Sequence, residues 1–463
     1  MSNQPPAGPS RVWFTAAFLT AALVVAAAHV SYIIASVALS PVGFDTAYNL
    51  TVSRNVAGGL GYTSDGYLLD HHVTEFDYRI STGPTVLIPL ALGFVGHADG
   101  LTWARLAMAG WYTMMIVGFA ALGRQTGGRW LALLLALVPL SFDVYGSPGV
   151  AELRGASDVL GEVPATGLIL VALILTRQSR VVGGLFVGIA VGLAVLTKTI
   201  AALGVPALAI GLLLAHRESG APRGRRLSLF FLGVLAPTIL WQVFILVSLG
   251  LDAYRHNLAS QVGFLVTGGS GLDGQRSGTN VREFFESWHA PSPVVVVVTI
   301  AGLATVVLAV ITARRARQLP GRAFVGALTA LVVVALLWVG WWMFLSTQPY
   351  SRSLYPGAIL LMAALVTGLW WSLGVLSTRM RDARLDWTVA ALALSVVVLL
   401  PSSQTLAATV SPSETIAEQR RKGDELADAS GVIRFDPDDF FSFAEAYRTG
   451  WASGRDALAR DDP

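Results

Sequence analysis

Residues 181–215 read VVGGLFVGIAVGLAVLTKTIAALGVPALAIGLLLA, and Lys198 is the single charge in this stretch. A helix needs about twenty apolar residues to cross the hydrocarbon core of a bilayer, which is roughly 30 Å thick. The stretch is too long for one crossing, so we predict two short spans that turn near residues 196–199. A chain containing such a segment belongs in a membrane.

The composition of the whole chain supports this class. Of 463 residues, 54% are apolar and 13% are charged, and the mean hydropathy is +0.61. That leaves too little polar surface for the several soluble domains that this length would otherwise form. The net charge of +3 is too small to indicate nucleic-acid binding. The absence of cysteine excludes a disulfide scaffold, a thiolate metal site and a cysteine nucleophile.

Apolar runs of about twenty residues recur along the chain and predict an all-α polytopic membrane protein with eleven transmembrane helices. The predicted spans are residues 12–39, 101–122, 128–146, 159–176, 181–197, 199–215, 227–250, 293–313, 323–345, 355–376 and 387–402. The first run is too long for a signal peptide and is predicted to be an anchor. Residues 84–95 would form a helix of only about 18 Å, so we predict that it lies along the membrane surface.

The distribution of charge orients these spans. With eleven crossings, sixteen arginines fall on one side together with only three acids, Glu218, Asp382 and Asp386. The positive-inside rule places that side in the cytoplasm. The outer segments are then residues 40–100, 143–160 and 251–292, with two surface helices in the first of them. We predict a transmembrane domain over 1–402 and a small outward-facing tail over 403–463, either a cap or a partly disordered end in preference to an acceptor-binding module.

Some polar residues near the predicted outer face need an explanation. Asp45 and Asn49 share one face of a predicted helix, where Asp45 could cap the helix or act in a site. Glu162 precedes a short apolar run, so its span is expected to begin near Val159 and to enclose it. Such a group is a functional candidate, although it could also reach the headgroups or pair with an arginine.

Cations also gather on the predicted outer side. Lys198 is one of only two lysines in the chain, and a point charge at a membrane edge suits a phosphate, with snorkelling as the alternative. Outer segments also contain Arg255, Arg276, Arg282 and Arg352. Residues 70–77 hold two histidines and three acids, but adjacent histidines point in different directions, so an exposed polar surface is favoured over a metal site.

The order of these features resembles the GT-C superfamily of integral-membrane glycosyltransferases over about residues 12 to 360. The resemblance rests on a few short motifs that follow one another along the chain. They are residues 44–49 around Asp45, residues 54–55, the 58–61 glycine turn, Thr82-Gly83-Pro84, Arg105, the acidic second outer segment, residues 196–198 and residues 352–356.

The resemblance implies an enzyme that transfers a sugar from a polyprenyl-phosphate donor to a lipid, glycan or protein acceptor on the outer face of a bacterial cytoplasmic membrane. It implies that Asp45 is the catalytic carboxylate. A carboxylate that removes the proton of a hydroxyl acceptor fits inversion by single displacement, which we expect here with Asp45 as the base. Asp158 and Glu162 are expected to assist catalysis. Lys198 and Arg352 are expected to bind the donor phosphate, with Arg255, Arg276 and Arg282 as the next candidates. Tyr48, Asn49 and Arg54 are expected to bind substrate. Many members have two adjacent acids where this chain has Asp45-Thr46, which leaves a divalent cation, Mg²⁺ or Mn²⁺, open.

Two other functions are compatible with a polytopic chain. A transporter or lipid flippase would place its coupling charges near the membrane midplane and would commonly show inverted repeats. A scaffold that binds a lipid-linked sugar without catalysis would need the cations but not Asp45. The predicted intramembrane charges cluster at one face, and this favours the transferase.

Overall fold

The computed structural model describes residues 9–64, 76, 80, 82–95, 99–141, 155–177, 181–215, 223–266, 321–346, 351–377, 414–435, 440–455 and 457–459. These residues form fourteen α-helices and two short strands. The helices are α1 (Pro9–Leu39), α2 (Phe44–Ala57), α3 (Pro84–Val95), α4 (Gly100–Gly127), α5 (Arg129–Leu137), α6 (Glu162–Leu175), α7 (Gly183–Thr197), α8 (Gly204–Ala215), α9 (Arg223–Leu249), α10 (Leu251–Val266), α11 (Arg322–Phe344), α12 (Ser351–Ser377), α13 (Ile416–Leu426) and α14 (Phe440–Ser453). The strands are β1 (Ile433–Phe435) and β2 (Ala457–Ala459).

The helices follow the hydropathy of the sequence. Eight of the eleven predicted spans lie wholly in the described residues, and a ninth, 128–146, lies there as far as residue 141; each coincides with a helix where it is described. The other two, 293–313 and 387–402, lie outside the described residues. In the part of the chain that the structure describes, five helices are long and apolar enough to cross a membrane, within α1, α4, α9, α11 and α12, and further apolar helices are shorter. The chain is therefore an all-α, multi-pass membrane protein.

The predicted turn at Lys198 is present. Helix α7 ends at Thr197, and Lys198 adopts an extended backbone with φ −151° and ψ 116°. A 3₁₀ helix, Thr199–Leu203, then leads into α8. The backbone of a long apolar stretch thus changes direction at its single charged residue.

A row of glycines brings α7 against α9. A Cβ atom on Gly188 would lie 2.0 Å from the carbonyl oxygen of Phe230, and one on Gly184 would lie 2.3 Å from that of Arg226. Gly192 continues the row one turn later. Small residues four apart allow two helix backbones to approach closely, which is a common way of packing helices in membranes.

Two elements differ from expectation. Helix α6 begins at Glu162 and not near Val159, because residues 155–160 form turns whose backbone bonds to α2. Helix α2 was expected to be a surface helix, but residues 46–53 are all buried. Helix α3 covers one side of α2 and the end of the chain covers another. Helix α3 itself has the predicted bounds, Pro84–Val95.

Residues 414–435, 440–455 and 457–459 form a small C-terminal unit. Thr415 and Glu418 make a capping box at the start of α13, and β1 pairs in parallel with β2. Hydrogen bonds from the Ser430 hydroxyl and the Val432 N–H hold the pKa of the Asp428 carboxyl at about 2. Aromatic side chains of α14 then pack this unit against α2. The domain boundary predicted at 402/403 lies outside the described residues.

Candidate active site

Asp45 is held in an ion pair at the start of two helices. Gly43 occupies the N-cap position of α2, so Asp45 is the second residue of the helix and not its cap. Its carboxylate is favourably placed near the positive end of the helix dipole. The Nη1 atom of Arg352, in the first turn of α12, donates to Asp45 Oδ2. The Arg352 side chain is 13% exposed and that of Asp45 is 31% exposed, so solvent still reaches the acid.

A second ion pair joins Glu162 to Lys198. The Lys198 ammonium lies 2.8 Å from Glu162 Oε1, and the Glu162 side chain is 1% exposed. Within the described residues, neither carboxylate oxygen of Glu162 receives a well-aligned hydrogen bond. The charge of Lys198 is therefore what balances this buried carboxylate. Because Glu162 is the first residue of α6, the helix dipole adds to the same stabilisation.

Hydrogen bonds of neighbouring residues connect the two pairs. The Thr46 hydroxyl accepts from the Val159 N–H at 3.1 Å, and Asn49 Nδ2 donates to the Val159 carbonyl oxygen at 2.6 Å. Asn49 Nδ2 also donates to Thr82 Oγ1 at 3.1 Å. Asp158, which is buried, directly precedes Val159. Four acids and cations singled out from the sequence thus lie at one end of the bundle, with Asp158 beside the bridge between them.

Two glycines allow the starts of α3 and α6 to pack closely against the turn at Lys198. The Gly83 N–H donates to the Thr197 carbonyl oxygen at 2.9 Å, and a Cβ atom on Gly83 would lie 1.7 Å from the Leu196 oxygen. A Cβ atom on Gly161 would lie 2.5 Å from the Thr197 oxygen. The Thr82-Gly83-Pro84 motif therefore satisfies a carbonyl at the end of α7, a role that sequence reasoning did not assign to it.

The residues predicted to bind substrate make contacts within the protein. Tyr48 is buried beside Phe44, and Asn49 uses both amide hydrogens in the contacts given above. Arg54 lies on the face of α2 opposite to Asp45. Its guanidinium stacks over the Trp451 ring, 5.1 Å from the ring centroid. Their role in substrate binding stays a prediction.

The remaining predicted cations are apart from these pairs or outside the described residues. Arg255 lies on α10 and is exposed. Arg276 and Arg282 lie outside the described residues, as do residues 70–75. Arg105 has a clear structural role, because its guanidinium donates to the carbonyl oxygens of Val37, at 2.8 Å, and Ser40. It thereby caps the end of α1, just before the chain enters α2.

The acids of the site do not fit a resident divalent cation. Asp45 and Glu162 each face a protein cation. No group of three or more His, Cys, Asp or Glu side chains gathers within the ranges that the structure describes. Hard cations such as Mg²⁺ take several oxygen ligands, and each of these two acids is instead paired with one protein cation. The prediction of Mg²⁺ or Mn²⁺ thus finds no ligand set among these residues.

Comparison with known proteins gives a shared fold. No protein-family profile and no curated protein sequence matches the chain. Among solved structures, ArnT from Cupriavidus metallidurans bound to undecaprenyl phosphate matches with a TM-score of 0.58 at 13% identity, covering 95% of this chain and 85% of ArnT. The oligosaccharyltransferase AglB from Archaeoglobus fulgidus, in complex with an inhibitory peptide and a dolichol-phosphate, matches with a TM-score of 0.53 at 11% identity, covering 98% of this chain and 65% of AglB. An Archaeoglobus fulgidus oligosaccharyltransferase in complex with Zn and sulfate gives a TM-score of 0.54 at 12% identity, covering 94% of this chain and 62% of that chain.

At these identities the similarity concerns the fold. It spans nearly the whole chain. The GT-C-like fold expected from the order of sequence motifs is therefore confirmed.

Proposed function

We propose that this GT-C-like protein is a glycosyltransferase that takes a sugar from a polyprenyl-phosphate donor and transfers it to a hydroxyl acceptor with inversion. One observation carries the proposal. At one end of the bundle, Lys198 and Arg352, the first two of the five cations predicted to bind phosphate, are each paired with an acid predicted to act in catalysis. Solved neighbours of the same fold bind undecaprenyl phosphate or dolichol-phosphate, and this supports the class of donor.

Arg352 and Lys198 suit a lipid phosphate. Both begin or end helices, so a polyprenyl tail can stay among lipids while its phosphate reaches the polar site. Both side chains are largely buried, with 13% and 15% exposure. Charge-assisted hydrogen bonds are stronger in such surroundings than in water. Glu162 orients the Lys198 ammonium and stays inside the protein.

The ion pair between Asp45 and Arg352 implies that donor binding precedes proton transfer. A carboxylate bound to a guanidinium is a weaker proton acceptor than a free one. A donor phosphate competes with Asp45 for Arg352 and releases the acid. Asp45 then accepts the proton of the acceptor hydroxyl as its oxygen forms a bond to the anomeric carbon. The bond from that carbon to the phosphate oxygen breaks, and the electron pair stays on the phosphate, whose charge Arg352 and Lys198 stabilise.

The donor contact predicts a selective loss of binding. Arg352→Gln should weaken the binding of undecaprenyl phosphate about 10- to 100-fold, because a hydrogen bond to a charged group contributes about 1.5–3 kcal/mol. Tryptophan fluorescence of the detergent-solubilised protein can follow the titration. Arg124→Gln is the matched control, since Arg124 is exposed at the opposite end of the bundle. Equal affinities for the two variants would place the phosphate elsewhere.

The proposed orientation puts the site on the outer face of the membrane. Its basis is the sixteen arginines at the opposite ends of the predicted spans. The chain contains no cysteine, so single cysteines can be introduced cleanly. Ala429→Cys, in an exposed turn of the C-terminal unit, should react with a membrane-impermeant maleimide in intact cells. Gln125→Cys, at the exposed end of α4, should react only after permeabilisation, and the reverse pattern would invert the topology.

A further inference from the structure

Gln419 of the C-terminal unit is bonded to the backbone just before α2. The Val42 N–H donates to Gln419 Oε1 at 2.7 Å, and Gln419 Nε2 donates to the Val42 carbonyl oxygen at 2.9 Å. The Gln419 side chain is fully buried and Val42 is 1% exposed. A primary amide matches the donor and the acceptor of one backbone residue in this way. The two hydrogen bonds therefore fix both the position and the rotation of the chain at Val42.

Helix α2 needs such support because its first turn has no side-chain cap. The N-cap residue is Gly43, which has no side chain to accept from the free N–H groups. Caps of the Ser, Thr, Asp or Asn type normally hold a helix start in place. Gln419 supplies an anchor from another part of the chain, and Asp45 lies three residues beyond the anchored backbone.

The C-terminal unit also contacts the middle of α2. The Tyr447 hydroxyl donates to Thr51 Oγ1, and Trp451 Nε1 donates to the same oxygen at 3.1 Å. Phe44 packs against Phe443 with ring centroids 5.7 Å apart. The hydrogen bonds to Thr51 hold the middle of the helix and the Phe443 ring packs on the Phe44 side chain, whereas the Gln419 pair bonds to the backbone that leads into the helix. The loss of Gln419 therefore frees the backbone before Asp45 and leaves the side-chain contacts of the interface in place.

We propose that Gln419 is a positioning residue that sets the direction of the Asp45 carboxylate, and this inference rests on the proposed function. The two hydrogen bonds fix the backbone at Val42, and the backbone fixes the first turn of α2. A displacement of about 1 Å in a catalytic group can lower a rate about 100-fold. The C-terminal unit thus takes part in the reaction without touching the substrate.

Three variants test this role. Gln419→Met removes both hydrogen bonds and keeps an apolar chain of similar length. We expect kcat to fall about 10- to 100-fold with the affinity for undecaprenyl phosphate unchanged. Asp424→Asn is the control, because it breaks the 2.8 Å ion pair of Asp424 with Arg455 inside the C-terminal unit and leaves Val42 untouched. A kcat of Gln419→Met equal to that of Asp424→Asn would overturn the proposal.

Gln419→Glu adds a readout that a loss of stability cannot imitate. An ionised glutamate accepts from the Val42 N–H but has no hydrogen for the Val42 oxygen. A protonated glutamic acid has both a donor and an acceptor, and burial favours that form. The kcat of Gln419→Glu relative to the natural chain should therefore rise as the pH falls, whereas the same ratio for Gln419→Met stays flat. Charged groups that face α13 from neighbouring elements include Asp99, Glu445 and Arg455; they are common to the compared proteins and cancel in the ratio. Parallel ratios for the two variants would contradict the proposal.

A further measurement separates this inference from the proposed function. In the cysteine-free chain, the pair Asp45→Cys and Arg352→Cys can be bridged by a short bifunctional thiol reagent. Adding Gln419→Met should slow the bridging, and adding Asp424→Asn should not. This readout needs no sugar transfer. Sugar transfer is measured in parallel on the natural chain, which keeps Asp45 and Arg352. Slower bridging with no transfer by the natural chain would retain the positioning role and reject the transferase, and unchanged bridging with transfer by the natural chain would reject the positioning role alone.

Discussion

Asp45→Asn should lower the rate of sugar transfer about 10²- to 10⁴-fold, because an amide cannot accept the proton of the acceptor hydroxyl. The folded state should persist, since asparagine has nearly the same size and the N-cap of α2 is Gly43. The binding of undecaprenyl phosphate should also persist, because Arg352 loses a competing carboxylate. Turnover with a polyprenyl-phosphate sugar, thermal unfolding and phosphate binding together measure the three outcomes.

Asp99→Asn is the matched control for this substitution. Asp99 is the N-cap of α4, and its carboxylate accepts from the N–H groups of Leu101 and Thr102. Asparagine caps a helix about as well as aspartate, so this variant should keep both stability and turnover. An Asp45→Asn protein that folds, binds the donor phosphate and transfers sugar as fast as Asp99→Asn would remove Asp45 from the role of base.

Lys198→Met should destabilise the protein by about 3–5 kcal/mol, because it leaves the buried Glu162 carboxylate without its counter-charge. The Glu162 side chain is 1% exposed, so water cannot replace the lysine. The midpoint of thermal unfolding in detergent is the measurement. Donor binding should fall as well, but the loss of stability is the larger and more direct effect.

Two comparisons test whether the unpaired Glu162 carboxylate causes this loss of stability. The double variant Lys198→Met with Glu162→Gln should recover much of the lost stability, because the isolated charge is gone. Arg352→Met should cost less than Lys198→Met, because its partner Asp45 is 31% exposed and remains partly hydrated. If Lys198→Met proves as mild as Arg352→Met, or if Glu162→Gln gives no recovery, the ion pair does not carry the stability assigned to it.

Local patterns in the sequence were sufficient for most of the helices. The hydropathy of residues 181–215 predicted the turn at Lys198, and the proline and glycine around residues 84–95 predicted the bounds of α3. These features depend on neighbours along the chain. Glycines four apart in α7, at 184, 188 and 192, could also have predicted its close contact with α9. The start of α6 was missed because tertiary hydrogen bonds to Val159, which no local pattern reports, end the preceding turn.

The members of the site were found one at a time, but their pairing was not. Asp45 was singled out as a helix cap or a site residue, Glu162 as an acid within a span, and Lys198 and Arg352 as cations on the outer side. Asp45 and Arg352 are 307 positions apart, and one sequence contains no signal that joins them. Gln419 was not noticed, because an amide in a polar tail looks like ordinary solvated surface. Its importance comes entirely from the backbone that it meets.

Contacts between residues that are far apart in the sequence also affect how the protein is made. The hydrogen bonds between Val42 and Gln419 join residues 377 positions apart. At about 5–20 residues per second, a ribosome needs roughly 20 to 75 s between the two. During that interval α2 has left the ribosome without the contacts that orient its first turn. On the proposed function, the nascent chain therefore lacks the anchor of its catalytic helix until residues 414–459 have been made, and a product truncated before Gln419 is expected to transfer sugar more slowly.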